Sequence, residues 1–238
     1  MSADPYTGRV HPGGPSAVRT LDAAQIRKAS VGPMDNDAYL VTCRRSGAQV
    51  LVDAPTDPDR LLALVREGSG AARLDVVVVT HRHADHLGAL ASVTAVTGAR
   101  VAAGAADADA VEEAGGHAVD VRLQHGDALA VGHLVLDVIA LRGHTPGSVA
   151  LALTEPEHAR TDGAVPGRVH LFTGDSLFPG GVGSTGHDPQ RFAELLGDVT
   201  TRVFDRYRDD TWVYPGHGDD TTLGAQRPHL AQWAARGW

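Results

Sequence analysis

Short apolar runs separated by polar and glycine-rich breaks recur along the whole chain. Val76-Val77-Val78-Val79 is a continuous β-branched run, the pattern of a strand buried on both faces. Ala38 to Cys43 and Gln49 to Asp53 read as two strands, with Ser46-Gly47 as the turn of a hairpin. Pro58 to Glu67 reads as a helix, with Asp57 placed to cap it and Pro58 at its first position. A second helix is predicted behind the valine run, from Leu87 to Val96. A strand from Arg100 to Ala103 then follows the Gly98 break. Asp107 to Ala114 is a short helix closed by Gly115-Gly116. His133 to Leu141 alternates as a half-buried strand does, and Ser148 to Thr154 and Arg168 to Thr173 are further strands. Between those two, Glu155 to Gly167 reads as a surface loop, and Phe178 to Gly186 as a glycine-rich loop. Asp188-Pro189 opens a helix through about Tyr207, with Phe192, Leu195, Leu196, Val199 and Val203 on one face. Thr211 to Tyr214 is a last strand, and Gly224 to Trp238 a last helix.

Strands alternate with helices, yet several neighbouring strands are joined by tight turns. This predicts an α/β fold with a mixed sheet layered by helices. No linker, repeat or low-complexity segment interrupts residues 1–238, so one domain is expected, with the polar Gly- and Pro-rich start (residues 1–18) loosely held.

Composition narrows the function classes. A hydrophobic share of 42% and a charged share of 21% are enough for a sizeable core. The net charge of -8 argues against a nucleic-acid groove, but bound cations could still make one site locally positive. Cys43 is the only cysteine, so no intrachain disulfide is possible; it reads as a buried strand thiol in a reducing compartment. No leader-like start and no apolar stretch of about 18–20 residues is present. The expectation is a soluble, cytoplasmic protein acting on a small molecule, without membrane or nucleic-acid partners.

The candidate chemistry gathers where the valine run ends. Thr80-His81-Arg82-His83-Ala84-Asp85-His86 places three imidazoles and a carboxylate between a strand and a helix. On extended backbone His81 and His83 point the same way, while Asp85 and His86 come from the turn that follows. Such a donor set suits zinc, iron or manganese. Three more turns present a His or Asp at a strand end: Gly143-His144-Thr145-Pro146-Gly147, Thr173-Gly174-Asp175-Ser176 and Pro215-Gly216-His217-Gly218. Strand ends along one sheet edge are where sites form in layered α/β folds.

Taken together, these four segments resemble the metallo-β-lactamase fold superfamily, over nearly the whole chain after about residue 30. The resemblance implies a four-layer αββα sandwich with a two-metal site at one edge. It implies a first ion held by His81, His83 and His144, a second held by Asp85, His86 and His217, and Asp175 bridging them. A carboxylate at the bridging place is similar to the hydrolase branch that includes glyoxalase II, as are Gly-His-Thr-Pro-Gly-Ser and Gly-Asp-Ser-Leu-Phe. That branch implies thioester cleavage by a hydroxide shared between two divalent ions about 3.5–4 Å apart. Zinc is the first expectation, with iron or manganese also suited. Asp85 and Asp175 are the candidate catalytic residues, Asp85 combining ligation with proton handling. Lactone hydrolysis is the first alternative. A single-iron persulfide dioxygenase of the same fold is the second, although the last motif there usually reads Pro-Ala-His where this chain has Pro-Gly-His217.

Other residues carry less. Asp53 either orients a ligand histidine or caps a strand end. Gly180-Gly181-Val182-Gly183 could line a pocket mouth but lacks the spacing of a phosphate loop. His187 is expected in solvent. His11, His117, His125, His133, His158, His170 and His229 are expected to be structural or surface residues. Trp212, Trp233 and Trp238 are expected to pack.

Overall fold

Side-chain alternation along the valine strand sorts the molecule into layers. Val76 and Val78 enter one core while Val77 and Val79 enter another, because successive strand residues face opposite sides. The computed structural model describes residues 6–237, so Met1–Pro5 and the packing role expected of Trp238 lie outside the described residues.

The first sheet has seven strands in chain order: β1 (Ala17–Thr20), β2 (Ala24–Val31), β3 (Asn36–Cys43), β4 (Gln49–Val52), β5 (Val76–Val79), β6 (Arg100–Gly104) and β7 (Val121–Leu123). It is antiparallel up to β4 and parallel from β4 onward. The parallel steps need crossovers, which α1 (Pro58–Ser69), α2 (Leu90–Thr97) and α3 (Ala108–Gly115) supply. The second sheet takes β8 (Ala128–Val131), β9 (Leu134–Ala140), β10 (Val149–Thr154), β11 (Val169–Gly174), β14 (Trp212–Pro215) and β15 (Thr221–Thr222), ordered β15-β14-β11-β10-β9-β8. Between β11 and β14, a small ladder of β12 (Leu177–Phe178) and β13 (Gly181–Val182) precedes α4 (Pro189–Val199).

Three apolar cores separate the layers. Between the sheets, Val41, Val50, Val76 and Val78 meet Leu136, Leu151, Phe172 and Tyr214. On the outer face of the first sheet, Leu40, Leu51 and Val77 meet Leu61, Leu64, Leu90 and Val93 from α1 and α2. On the outer face of the second, Ile139, Ala152, Leu171 and Val213 meet Phe192, Leu195, Val199 and Trp233. The fold is therefore the expected αββα sandwich. Cys43 ends β3 and is buried, as anticipated. Among the described residues no helix is long and apolar enough to cross a membrane.

Several local expectations change. The helix expected from Leu87 starts at Leu90; Ala84–His86 forms a 3-10 turn instead, and Gly88 sits against the Pro55 carbonyl where a Cβ would lie 2.7 Å away. The strand expected from His133 is the second arm of a hairpin, with His133 in its turn and β8 as the unforeseen first arm. The glycine-rich loop contains the β12–β13 ladder. The helix after Asp188 closes with a π-helical turn at Thr200–Phe204. The last helix is broken into α5 (Leu223–Gln226), a 3-10 turn containing Pro228, and α6 (Leu230–Arg236). From Tyr6 onward the segment before β2 is tied down more than its composition predicts. Half-buried Tyr6 packs edge-on against Trp212 at 5.9 Å and donates to Asp220 at 3.0 Å, and β1 already occupies residues 17–20.

Both sheets end at one edge. The Val149 N–H donates to the Thr80 carbonyl at 2.9 Å, stitching the end of β5 to the start of β10. The Gly216 N–H donates to Gly174 O at 2.9 Å, holding the ends of β11 and β14 together. All four histidine and aspartate turns thus open on the same rim.

Candidate metal centre

At this rim the four turns converge on one small volume. His81 Nε2 lies 3.1 Å from His83 Nδ1, and the His81 and His83 rings stand 4.7 and 4.6 Å from the His144 ring. Next to them, His86 Nε2 lies 3.2 Å from His217 Nε2 and 3.5 Å from Asp85 Oδ2. Asp175 stands between the two groups, with Oδ1 3.4 Å from His86 Nε2 and Oδ2 3.5 Å from His217 Nε2 and 3.7 Å from His144 Nε2. Among the described residues, three sets have donor atoms mutually within 4.8 Å: His81, His83, His144; Asp85, His86, His217; and His81, His86, Asp175. Bonds of about 2.0–2.1 Å at tetrahedral angles put neighbouring donors roughly 3.3 Å apart, so these separations are those of ligands around a cation.

The outward atoms are spoken for. His144 Nδ1 donates to the Ser184 carbonyl at 2.7 Å, His217 Nδ1 to the Met34 carbonyl at 2.9 Å, and His86 Nδ1 to Asp53 Oδ2 at 2.9 Å. Each of these bonds fixes the tautomer that leaves the inward nitrogen with a lone pair. Two of the inward atoms, His144 Nε2 and Asp175 Oδ1, are buried without a hydrogen bond. A cation would satisfy both, so the residues fit the divalent ions that the donor chemistry implies. Glycine shapes the space. A Cβ at Gly216 would lie 2.1 Å from Asp175 Oδ1, and one at Gly183 would meet the Asp175 carbonyl.

Electrostatics agree with this division. Burial, then the neighbouring His86, holds His81 well below its ordinary value, and burial also lowers His83 and His144. All three are poised as neutral ligands. Burial would lower His86 too, but the carboxylates of Asp53 and Asp175 outweigh it and raise the imidazole to about 10. Burial would raise Asp175; the His217 and His86 imidazoles beside it outweigh this and hold the carboxyl well below the usual range. In the metal-free chain a proton on His86 therefore offsets the carboxylates, and metal binding would release it.

The family profile described as the metallo-beta-lactamase superfamily matches residues 31–217. The chain belongs to that superfamily. Among curated relatives of this metallo-beta-lactamase-fold chain, the hydroxyacylglutathione hydrolase of Fuscovulum blasticum is 38% identical over 63% of this chain and 51% of its own length. That of Rhodopseudomonas palustris (strain BisB18) is 34% identical over 77% of this chain and 62% of its own length. The matched part of the chain thus spans about half to three-fifths of these relatives. Among solved structures, ETHE1 from Myxococcus xanthus superposes with a TM-score of 0.70 at 28% identity, covering 88% of this chain and 84% of that one. TTHA1623 in a di-iron-bound form superposes with a TM-score of 0.63 at 32% identity, covering 83% and 95%.

All seven residues singled out from the sequence come together in this superfamily site. Of the undecided ones, Asp53 is a support. Its carboxylate takes the Thr80 N–H at 2.7 Å, the Thr80 hydroxyl at 2.8 Å and the His86 imidazole. Gly180–Gly183 lines a cavity of about 350 Å³ with Phe178 and Arg236, beside the His217 ring. His187 is exposed, and Trp212 and Trp233 pack. His170 is fully buried between Glu155 and Tyr214, far along β11 from the rim.

Two supports escaped sequence reasoning. Asp107, fully buried ahead of α3, accepts from the Arg82 N–H at 3.1 Å, the Gly147 N–H at 2.9 Å and the Thr145 hydroxyl, tying the His83 turn to the His144 turn. Asn36 Nδ2 donates to the Asp85 carbonyl and carboxylate at 3.0 Å each. Nothing near either residue in sequence marks it. Asp107 reads from sequence only as the start of a helix, yet its side chain makes no cap bond there.

Proposed function

We propose that this chain is a metal-dependent hydrolase that cleaves thioesters, in the manner of hydroxyacylglutathione hydrolases, with two divalent ions, zinc first among them. The observation that carries the reading is that the His81–His83–His144 and Asp85–His86–His217 sets are linked through a third, His81–His86–Asp175, with His144 Nε2 and Asp175 Oδ1 buried and without a protein hydrogen bond. His81, His83 and His144 would hold the first ion, and Asp85, His86 and His217 the second, with Asp175 between them. Bound ions would supply a hydroxide at neutral pH and stabilise the developing oxyanion.

The chain's own residues do the rest. Asp53, Ser184 and Met34 fix three imidazoles through their outer nitrogens, so little reorganisation is needed on binding. Asp85, whose side chain is 29% exposed against 13% for Asp175, is the carboxylate placed to pass a proton to the leaving group or to solvent. No serine or cysteine nucleophile is called for, and Cys43 is remote from the rim. A small-molecule substrate and a cytoplasmic setting complete the proposal.

The test is elemental analysis of the purified protein together with thioester, lactone and oxygen-uptake assays. Two zinc ions per chain with thioester cleavage are expected. Lactone cleavage alone would shift the reading to a lactonase. One iron with persulfide-dependent oxygen uptake would replace hydrolysis with oxygenation.

A further inference from the structure

The chain's only lysine is among its most deeply buried residues. Lys28, in the middle of β2, has no exposed surface, and its ammonium sits between two carboxylates, 2.7 Å from Asp220 Oδ1 and 3.0 Å from Asp37 Oδ2. It also donates to the Gly8 carbonyl at 2.9 Å and to the Gly218 carbonyl. Desolvating an ammonium costs several kcal/mol, so a buried lysine persists only where its charge is matched and all its donors are used. Here both conditions are met.

What this cluster fastens is the segment carrying His217. Residues 216–220 lie between β14 and β15 without a ladder of their own. Lys28 grips the segment one residue and three residues after His217, through Gly218 and Asp220. Asp220 is gripped again by Tyr6 at 3.0 Å and by the Trp212 indole at 2.8 Å. The flanking backbone is pinned to β3 and the turn before it: Asp37 N–H donates to Gly216 O at 2.8 Å, the Tyr39 hydroxyl to Pro215 O at 2.6 Å, and Gly218 N–H to Asp35 O. The His81, His83 and His144 set is held by other groups, namely Thr80, Asp107 and Ser184.

We propose that Lys28 and Asp220 form a buried ionic latch that positions His217, and that this latch sets the affinity of the Asp85–His86–His217 set for its ion without touching the first set. Lys28 is a positioning residue, acting on His217 through the backbone of Gly218. The inference rests on the two-ion reading above.

The experiment is stepwise zinc titration against a competing chelator, with ion content measured after dialysis. It uses wild type, Lys28→Met, and Lys28→Met combined with Asp220→Asn. The double variant removes the latch and relieves one of the two carboxylates that Lys28→Met leaves unpaired; the other, Asp37, keeps the Tyr39 hydroxyl at 3.3 Å. Circular dichroism checks the fold. With manganese in place of zinc, the spin-coupled signal of an ion pair reports whether both ions are seated together. The expected result is a folded variant that binds its first zinc within about twofold of wild type and its second ~10–100-fold more weakly, with the coupled manganese signal lost. Two zinc ions held as in wild type, both affinities falling together, or both variants unfolded would each overturn the inference. A wild-type chain that takes only one ion would overturn it along with the two-ion reading, so the two failures are distinguishable.

Discussion

Asp53→Asn isolates the contribution of one hydrogen bond behind a ligand. Asp53 sits at φ +61°, in the left-handed region that asparagine also tolerates, so the backbone need not move. The amide oxygen can keep the Thr80 N–H, and the Thr80 hydroxyl can turn to accept from the new NH2. His86 Nδ1 has no such freedom. Facing an N–H donor 2.9 Å away, it must become the acceptor, which moves the ring proton to Nε2, the inward nitrogen that meets Asp85, Asp175 and His217. A protonated nitrogen cannot ligate. Losing such an outer-shell carboxylate costs about 10–100-fold in metal affinity, or about 1.4–2.7 kcal/mol at ~1.36 kcal/mol per decade. The loss should fall on the second ion; the first set is reached only through the Thr80 hydroxyl, 3.1 Å from His81 Nδ1. Zinc titration against a chelator, with circular dichroism to confirm the fold, measures it. Unchanged second-ion affinity, or an equal drop at both sites, would refute the tautomer argument.

Gly216→Ala places a methyl 2.1 Å from Asp175 Oδ1 and 2.8 Å from His86 Cε1, so turnover should fall by about a hundredfold or more with little change in the melt; near-wild-type turnover would show that the rim yields. His83→Ala, whose ring is exposed on one side, should leave one ion per chain instead of two and almost no turnover; ion content equal to wild type would remove it from the ligand set. His170 has a pH signature away from the metals. Burial outweighs its hydrogen bond to Glu155 and holds it down at about 4, against roughly 6.5 when unfolded. Between those values the unfolded chain binds more protons than the folded one. Stability is therefore greatest above about pH 6.5 and declines as pH falls towards 4, by up to about 3 kcal/mol from this group. Urea melts of the chelator-treated protein at pH 4.5 and 7 should show a shallower pH slope in His170→Asn than in wild type, and equal slopes would contradict the assignment.

Local pattern carried most of the architecture. The run from Val76 to Val79, the Asp57-Pro58 and Asp188-Pro189 helix starts, and the hairpin around Gly47 are all found where periodicity and capping place them, because each depends on neighbours a few residues away. The candidate ligands were legible for the same reason: each stands in a Gly- or Pro-marked turn at the end of an apolar run. What escaped was whatever required a distant partner. No element is expected at Ala24–Val31, yet it forms β2 and pairs with β3 along its full length. Its lysine is buried against Asp37 on the next strand and Asp220, 192 residues away, and neither pairing is visible locally.

Sequence alone thus determined the layered α/β character, the positions of the strand ends and the seven candidate donors. Tertiary structure alone decided that those ends share one rim, that the donors fall into sets joined by Asp175, and that Asp53, Asp107, Asn36 and Lys28 hold them there. The physical reason lies in range. Side-chain alternation and capping act over a few residues, whereas matching a buried charge or orienting an imidazole nitrogen takes a hydrogen bond from whichever segment the fold brings alongside.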